Sequence, residues 1–368
     1  MPETINTTCP YCGVGCGLLV EPDVDGGWRI QGDPDHPSNQ GRLCSKGSAL
    51  NETLDLDGRL LSPMVDGKPA DWNLAIERVA SRFRQVVDEH GPDAVAFYVS
   101  GQLLTEDYYV ANKLMKGFIG SGNIDTNSRL CMSSSVAGHK RAFGSDTVPG
   151  CYEDFEQAEL IVLTGSNTAW CHPVLYRRIV KAKENNPALK VVVIDPRETA
   201  TCEIADLHLP LKPGSDSLLF NGLLSFLDRH DAKDQDFVAS HTEGLQEALK
   251  RAHWYAPSAQ ATAEHCGLPV DDLLTLFHWF LVKQRVVTLY SQGINQTSSG
   301  TDKVNGIINC HLYTGRIGQP GMGPFSITGQ PNAMGGREVG ALSNQLACHM
   351  DIENRDHRSL VGRFWQSD

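Results

Sequence analysis

Long apolar runs are missing from this chain. No stretch reaches 18 consecutive apolar residues, which excludes a membrane-spanning helix and leaves no membrane partner to expect. Positive charge is also scarce, with 32 Lys and Arg against 44 Asp and Glu and a formal net charge of -12. Binding to a phosphate backbone needs a basic face, so nucleic acid is not an expected partner. The glycine patterns G-x-G-x-x-G and G-x-x-x-x-G-K-[ST] do not occur, which argues against ordinary NAD and ATP sites. No repeat of fixed period and no low-complexity tract interrupts the sequence. With Met1 as the start, the eight residues before Cys9 set the expectation of no signal peptide or twin-arginine leader. Eleven cysteines without such a leader set the expectation of a reducing, cytoplasmic compartment. What remains is an ordinary globular composition, 40% hydrophobic and 21% charged, in 368 residues that can form two or three domains.

Four of the cysteines form a pattern. TTCPYCGVGCGLL places Cys9, Cys12 and Cys16 in a C-x2-C-x3-C run, and Cys44 follows in GRLCSKG. Four thiolates are what a cubane [4Fe-4S] cluster needs, with three from one tight loop and one from a distant return. Gly13, Gly15 and Gly17 suit a loop whose amides turn towards an anionic centre. Zinc is the competing metal. Zinc ribbons pair two short knuckles, and no second knuckle surrounds Cys44. Buried thiols are the third reading.

The segment to about residue 56 is rich in Gly, Pro and Asp and predicts a small β-rich unit wrapped around the cysteines. Helices and strands then alternate. WNLAIERVASRFRQVVDEHG carries helical spacing and stops at Gly91-Pro92. DAVAFYVSG predicts a strand. Thr105 is the expected N-cap of a helix through Phe118, with Glu106 and Asp107 in its first turn. AELIVLTGSN, LKVVVIDPRET and RVVTLYSQGIN are short, apolar and β-branched, as in a parallel sheet covered on both faces. Each leads through a Gly- or Pro-containing loop into a helical pattern, the βαβ signature. The turn-rich stretches 55–71 and 317–336 are the nearest things to linkers.

Open parallel sheets bind ligands at the carboxyl ends of their strands. The loops expected there are unusual. Gly165, Ser166 and Asn167 offer amides and a helix start to a phosphate. Asp195 can accept from a purine, and Arg197 can pair with phosphate. Gly214, Ser215 and Asp216 open another helix, with Ser215 as its N-cap. Gly293, Asn295 and Gln296 follow the fourth strand. Taken singly, each is an ordinary turn or cap. Four on one sheet point to a nucleotide-bearing ligand. Cys131 stands apart, in NSRLCMSSSVAGHK, between a polar turn and a serine run. Such a thiolate can bind a soft metal, act as a nucleophile or simply pack.

Together, the cysteine run, C-S-K-G at 44–47, N-S-R-L-C-M-S-S-S at 127–135, G-S-N at 165–167, S-Q-G-I-N-Q at 291–296 and the run from T-G-R-I-G-Q-P-G-M-G through 340 carry a resemblance. The whole chain resembles the N-terminal part of molybdopterin oxidoreductases of the dimethyl-sulfoxide-reductase superfamily. Within it, the chain is most similar to bacterial assimilatory nitrate reductase catalytic subunits.

That resemblance implies an α/β fold. A [4Fe-4S] domain (1–56) precedes an αβ domain (57–140 plus 337–368, its second part truncated) and a Rossmann-like αβ domain (141–336) that binds molybdopterin guanine dinucleotide. The family's C-terminal β-barrel lies outside this length, so a piece of 368 residues is expected to hold its cofactors poorly and show little activity. Cys9, Cys12, Cys16 and Cys44 would hold the cluster. Lys46 would lie between cluster and pterin, and is otherwise a surface lysine. Cys131 would be the thiolate on molybdenum, beside the dithiolenes of two molybdopterin guanine dinucleotides. Gln102 and Asn127 would contact the pterins. The stretch Thr164 to Cys171 (with Gly165, Ser166 and Asn167), Asp195 to Thr199 (with Arg197), and Gly214 to Asp216 would hold one dinucleotide. Gln292, Gln296, Gln330 and Asn332 would line the region near the metal. Met334 and Arg337 would shape a nitrate funnel, with Glu338 or Asp351 as alternative partners for Arg337. His139, His172 and His311 receive no proton role.

The activity implied is reduction of nitrate to nitrite by oxygen-atom transfer, in nitrate assimilation. Electrons would come from ferredoxin, flavodoxin or a flavin-containing NAD(P)H reductase subunit. Two alternatives remain: a formate dehydrogenase of the same superfamily, and a non-catalytic, cluster-bearing electron-transfer module. Met132 after Cys131, where the formate enzymes typically carry His, favours nitrate. Periplasmic nitrate reductases resemble the chain nearly as well but carry a twin-arginine leader.

Overall fold

Short extended segments separated by glycine turns leave the N-terminal region nothing to build but a meander. The computed structural model describes residues 4–24, 26–340 and 342–367. Strands β1 (Ile5–Thr8), β2 (Gly17–Pro22) and β3 (Trp28–Gly32) form an antiparallel sheet in that order. The expected β-rich unit is therefore present. Asn39 ties its centre together, with its side chain accepting from the Gly17 amide at 2.8 Å and donating to the Gly17 carbonyl at 3.1 Å. In the stretch 55–71, an exposed hairpin joins β4 (Met64–Val65) to β5 (Lys68–Pro69).

The helix Trp72–His90 begins at Asp71, whose side chain accepts from the Leu74 amide at 2.8 Å, and ends at Gly91 with φ of 85°. The Gly91 end matches the sequence expectation, and the Asp71 cap is a signal that the sequence analysis did not single out. Its Phe83, Val86 and Val87 pack on Val95, Met115 and Ile124 beneath a parallel pair, β6 (Phe97–Val99) and β7 (Ile124–Thr126). The next helix, Thr105–Asn112, continues as a π-helical segment over Lys113–Ile119. Leu104, not Thr105, occupies its N-cap, and the Thr105 hydroxyl instead accepts from Asn332 at 3.1 Å.

The large sheet contains five parallel strands: β8 (Leu160–Thr164), β9 (Lys190–Ile194), β10 (Leu207–Leu209), β11 (Val286–Tyr290) and β12 (Gly323–Ser326). Their spatial order is β10-β9-β8-β11-β12, so the order reverses between β8 and β11. Period-2 alternation sends neighbouring side chains into two cores. Leu160, Val162, Val192, Ile194 and Val286 enter one, with Leu219, Phe220, Phe277 and Ile307. Ile161, Leu163, Val191, Val193, Val287 and Leu289 enter the other. Full burial of each such side chain stabilises the fold by about 1.5–3 kcal/mol. The second core also takes in Cys9, Val14, Cys16 and Leu18, so the N-terminal unit shares its interior with the sheet. The stretch 317–336 is not a linker throughout: β12 is buried along its length and pairs with β11. Its Gly-Pro start reads as a turn, but proline is tolerated on an edge strand.

Three buried histidines are pushed below their ordinary pKa, chiefly by desolvation: His139, His172 and His311. His311 has the additional repulsion of Arg316. Each is neutral when folded, while the unfolded chain takes up a proton below pH ~6.5. Folding stability therefore falls as pH drops through that value, by at most about 1.4 kcal/mol per pH unit for each histidine. Urea unfolding at pH 7 and 5.5 should show this decline, and His311→Gln should make it shallower. An equal slope in the variant would remove His311 from the account.

Candidate cluster and cofactor site

The β1–β2 turn is cinched by its own backbone. Cys9 donates its amide to the Cys16 carbonyl at 2.8 Å, and Gly15, with φ of 68°, donates to the Cys12 carbonyl at 3.3 Å. Cys44 arrives from the far side, at the start of the short helix Ser45–Ser48. Cys9 and Cys16 are buried; Cys12 and Cys44 are half-buried. The quartet is electrostatically coupled. Burial, then the charges of Cys12, Cys9 and Cys44, push the Cys16 thiol up to about 12. Burial also raises Cys9 and Cys12, and Cys44 adds to both. Arg177 opposes the rise at Cys16, and Lys46 opposes it at Cys12. Among the described residues, no three His, Cys, Asp or Glu side chains converge to hold a single metal ion. Cys9, Cys12, Cys16 and Cys44, three from one turn and one from a distant return and near enough to raise one another, match the four-thiolate set of a [4Fe-4S] cluster.

The loop is also moored to the rest of the chain. Gly13 donates to the Gly329 carbonyl at 3.2 Å, and the Tyr152 hydroxyl donates to the Gly13 and Val14 carbonyls at 3.2 Å. Gln102 reaches the Pro10 carbonyl at 3.4 Å. Lys46 is exposed, its ammonium 5.9 Å from the Tyr11 ring centroid.

At the order reversal of the large sheet, two loops touch. Gly293 donates to the Gly165 carbonyl at 2.9 Å, and a Cβ on either residue would collide with the other's backbone. Ser166 is buried with its hydroxyl 3.0 Å from that of Thr168, and Asn167 accepts from Thr201 at 3.0 Å. Asp195 accepts from the Arg197 amide at 2.8 Å, which leaves the Arg197 side chain exposed. Gly214 has φ of 91° and open space where a Cβ would stand. Two expectations change here. The Ser215 hydroxyl donates to the Lys212 carbonyl at 2.6 Å and does not cap its helix. Asp216 is committed to buried Lys303 at 2.6 Å, so its carboxylate serves an internal ion pair.

Cys131 occupies the first turn of the helix Ser128–Phe143 and is half-buried. The Gln292 amide donates to its sulfur at 3.4 Å. Asn127 accepts from the Gly101 amide at 3.0 Å, and Asn332 donates its amide to the Gly101 carbonyl at 2.9 Å. Gln330 lies against Gly101. These contacts draw Gln102, Asn127, Gln330 and Asn332 together around one loop, while the exposed Gln296 makes no such contact. Among the buried oxygens that find no hydrogen-bond partner are Oε1 of Gln330, Oδ1 of Asn295 and Oγ1 of Thr164. Such orphans suit a polar ligand, and a soft thiolate beside them suits a heavy metal centre.

A cavity of about 420 Å3 follows the same helix, lined in part by Met132, Ser135, His139, Asp146, Met334 and Arg337. The carboxylate partner of Arg337 is Asp146, at 2.9 Å and almost fully buried, in place of Glu338 or Asp351. Burial pushes the Arg337 guanidinium down, and Asp146 and Cys131 act against that. Sequence reasoning also missed the Ser135–Ser326 pair at 2.6 Å and His139–Tyr290 at 2.6 Å. His139 points its Nδ1 at the Thr147 carbonyl (2.8 Å), so Nε2 accepts from Tyr290.

A thiol quartet fitted to an iron–sulfur cluster, joined to a parallel sheet with ligand loops at its order reversal, defines a cofactor-binding α/β redox protein. The family description Molybdopterin oxidoreductase matches residues 59–361, and Molybdopterin oxidoreductase Fe4S4 domain matches residues 2–55. The chain belongs to the molybdopterin oxidoreductases, with a molybdopterin cofactor and a [4Fe-4S] cluster. It is 56% identical over its whole length to a nitrate reductase of Klebsiella oxytoca, of which it covers 42%. It is 49% identical to a nitrate reductase of Shewanella frigidimarina, again over its whole length, and covers 40% of that protein. It thus spans about two fifths of these relatives. Acetylene hydratase from Pelobacter acetylenicus shares the fold, with a TM-score of 0.73 at 20% identity over 83% of this chain and 42% of that one.

Proposed function

We propose that the chain serves molybdenum-dependent reduction of nitrate to nitrite in nitrate assimilation. The reading is carried by the end-to-end similarity to two nitrate reductases, combined with Cys131 standing beside Gln292. When bound, the molybdenum cofactor supplies two-electron oxygen-atom transfer. The chain's own residues supply the rest. Cys9, Cys12, Cys16 and Cys44 hold the cluster, and Cys131 offers the protein thiolate. Gln292 fixes the orientation of that sulfur. The Asp146–Arg337 pair gives the cavity a buried cation with its charge balanced, suited to turning a small anion inward. Met132 and Met334 add apolar surface to the lining of that cavity.

The strand order and the loops at its reversal support a Rossmann-like sheet for one guanine dinucleotide. The unit to residue 56, the β6–β7 unit and the large-sheet unit correspond to three domains in this reading. Trp72, Ile76, Val79 and Phe118 line an exposed apolar groove on the β6–β7 unit. The cytoplasmic location rests on the thiol-rich composition, and cell fractionation tests it.

The deciding assay uses the full-length protein purified without oxygen. Molybdenum and iron should both be present, and reduced viologen should drive nitrite formation from nitrate without formate oxidation. Iron without molybdenum would leave only the electron-transfer module. Formate turnover in place of nitrate would move the protein to the formate dehydrogenases.

A further inference from the structure

Lys116 spends its whole ammonium on one distant turn. Its Nζ donates to the carbonyls of Gly340 at 2.5 Å, Leu342 at 2.8 Å and Gln345 at 2.6 Å. These partners lie 224, 226 and 229 residues further along the chain. An ammonium has three donors and no acceptor, so the group is saturated. A lysine that merely finishes a surface keeps its charge in water. Lys116 is instead half-buried, on the π-helical segment Lys113–Ile119. Such segments are rare and concentrate at functional sites.

Both sides of the clamped turn lead to the candidate site. On one side, Gly340 donates its amide to the Arg337 carbonyl at 3.1 Å, at the end of the short helix that carries the buried cation of the cavity. Gly340 has φ of 84°, and a Cβ on it would collide with the Leu346 backbone, so the turn closes tightly. On the other side, Ser343 and Asn344 accept from the Arg129 guanidinium at 3.3 and 3.1 Å. Arg129 also donates through Nε to Asp125 of β7 at 3.0 Å. It stands two residues before Cys131, in the first turn of the helix Ser128–Phe143. One turn therefore touches both the element that carries the thiolate and the element that carries the cation.

Resting on the nitrate reductase reading, we propose that Lys116 is a positioning residue for that reaction. It pins the turn after Arg337, and through Arg129 the pinned turn sets where Cys131 stands relative to the cation. The two branches are separable. The Gly340 branch acts on Arg337 and so on capture of the anion. The Arg129 branch acts on the thiolate. Neither Lys116 nor Arg129 touches the reacting atoms; each works by geometry, where a displacement of about 1 Å caused from a distance can cost on the order of a hundredfold in rate.

The test compares full-length parent, Lys116→Met and Arg129→Gln, each purified without oxygen. Lys116→Met keeps the side-chain length and removes the donors. In the metal-loaded enzyme, its KM for nitrate should rise by about 10–100-fold, the range typical of residues that orient a ligand. The paramagnetic resonance signal of the partly reduced molybdenum should shift as well. Arg129→Gln cuts only the thiolate branch, so its signal should shift while its KM stays near that of the parent. Amide hydrogen exchange at residues 128–131 should quicken in both variants, and at 342–346 in Lys116→Met. If Lys116 only supports the fold, Lys116→Met lowers the yield of loaded enzyme but leaves KM and signal as in the parent, which overturns the proposal. If Lys116→Met does not fold, Arg129→Gln decides: an unshifted signal with unchanged exchange at 128–131 rejects the clamp. A parent that reduces no nitrate would bring down the nitrate reading, while the exchange at 128–131 and 342–346 would still judge the clamp by itself.

Discussion

The Cys131→Ser enzyme is expected to keep its iron and lose nitrate turnover by about a hundredfold or more. Removing a residue that merely orients a metal ligand already costs 10–100-fold in typical cases, so losing the ligand itself sets the lower bound. The chemistry is a matter of softness. Serine replaces a polarizable sulfur with a hard oxygen of similar size, which a thiolate-preferring centre accepts poorly. The structure supplies the setting for a ligand: a half-buried thiol in the first turn of a sixteen-residue helix, with an amide from Gln292 at 3.4 Å. Nitrite formation, molybdenum and iron are measured together on full-length parent and variant. If Cys131 only packs, serine leaves turnover within a few-fold, and its assignment to the metal is wrong. A second variant, Gln292→Leu, separates holding from orienting: it keeps the ligand and removes only the hydrogen bond to it.

Cys16→Ser should strip the cluster and loosen the whole N-terminal unit. Within the quartet, Cys16 is the thiol most raised by its surroundings, pushed up to about 12 by burial and by three neighbouring thiols. Without a cluster this quartet is a liability, because buried like charges repel and burial disfavours each of them. With one, ligand binding becomes folding energy, on the scale of ~10 kcal/mol for structural metal sites in small units. Visible absorbance of the cluster should disappear, and proteolysis should reach residues 4–55. Damage should also pass into the large sheet, since Cys9, Val14, Cys16 and Leu18 share a core with Phe155 and Phe325. Cys310→Ser is the control: that buried thiol bonds the Phe220 carbonyl at 3.4 Å in the opposite core, and its loss should leave iron unchanged. Retention of full iron by Cys16→Ser would mean that other ligands hold the metal.

Much of this architecture could be read before any coordinates, for identifiable reasons. The strands β8, β9 and β11 announce themselves because burial on both faces demands unbroken apolar runs. The helix Trp72–His90 carries its stop signal, Gly91, in the sequence. The cysteine spacing is local, so it survives as a pattern. What escaped was non-local. Asp216 looked available because Lys303 comes from a distant helix, and Asp146 gives no hint that it meets Arg337. Thr105 had the right residue type for a cap, but Asn332 claims its hydroxyl from another segment. β12 was hidden because Gly-Pro-Phe-Ser has turn composition, and only its position at the sheet edge makes it a strand.

The bare peptide contact between Gly165 and Gly293 has a consequence for anyone who engineers this scaffold. Neither position tolerates even a methyl group without displacing main chain, so the two segments are keyed to one another. A grafted or randomised sequence on one side must bring its counterpart along. The pair therefore behaves as a single module, and diversity introduced in only one half should be purged by the other.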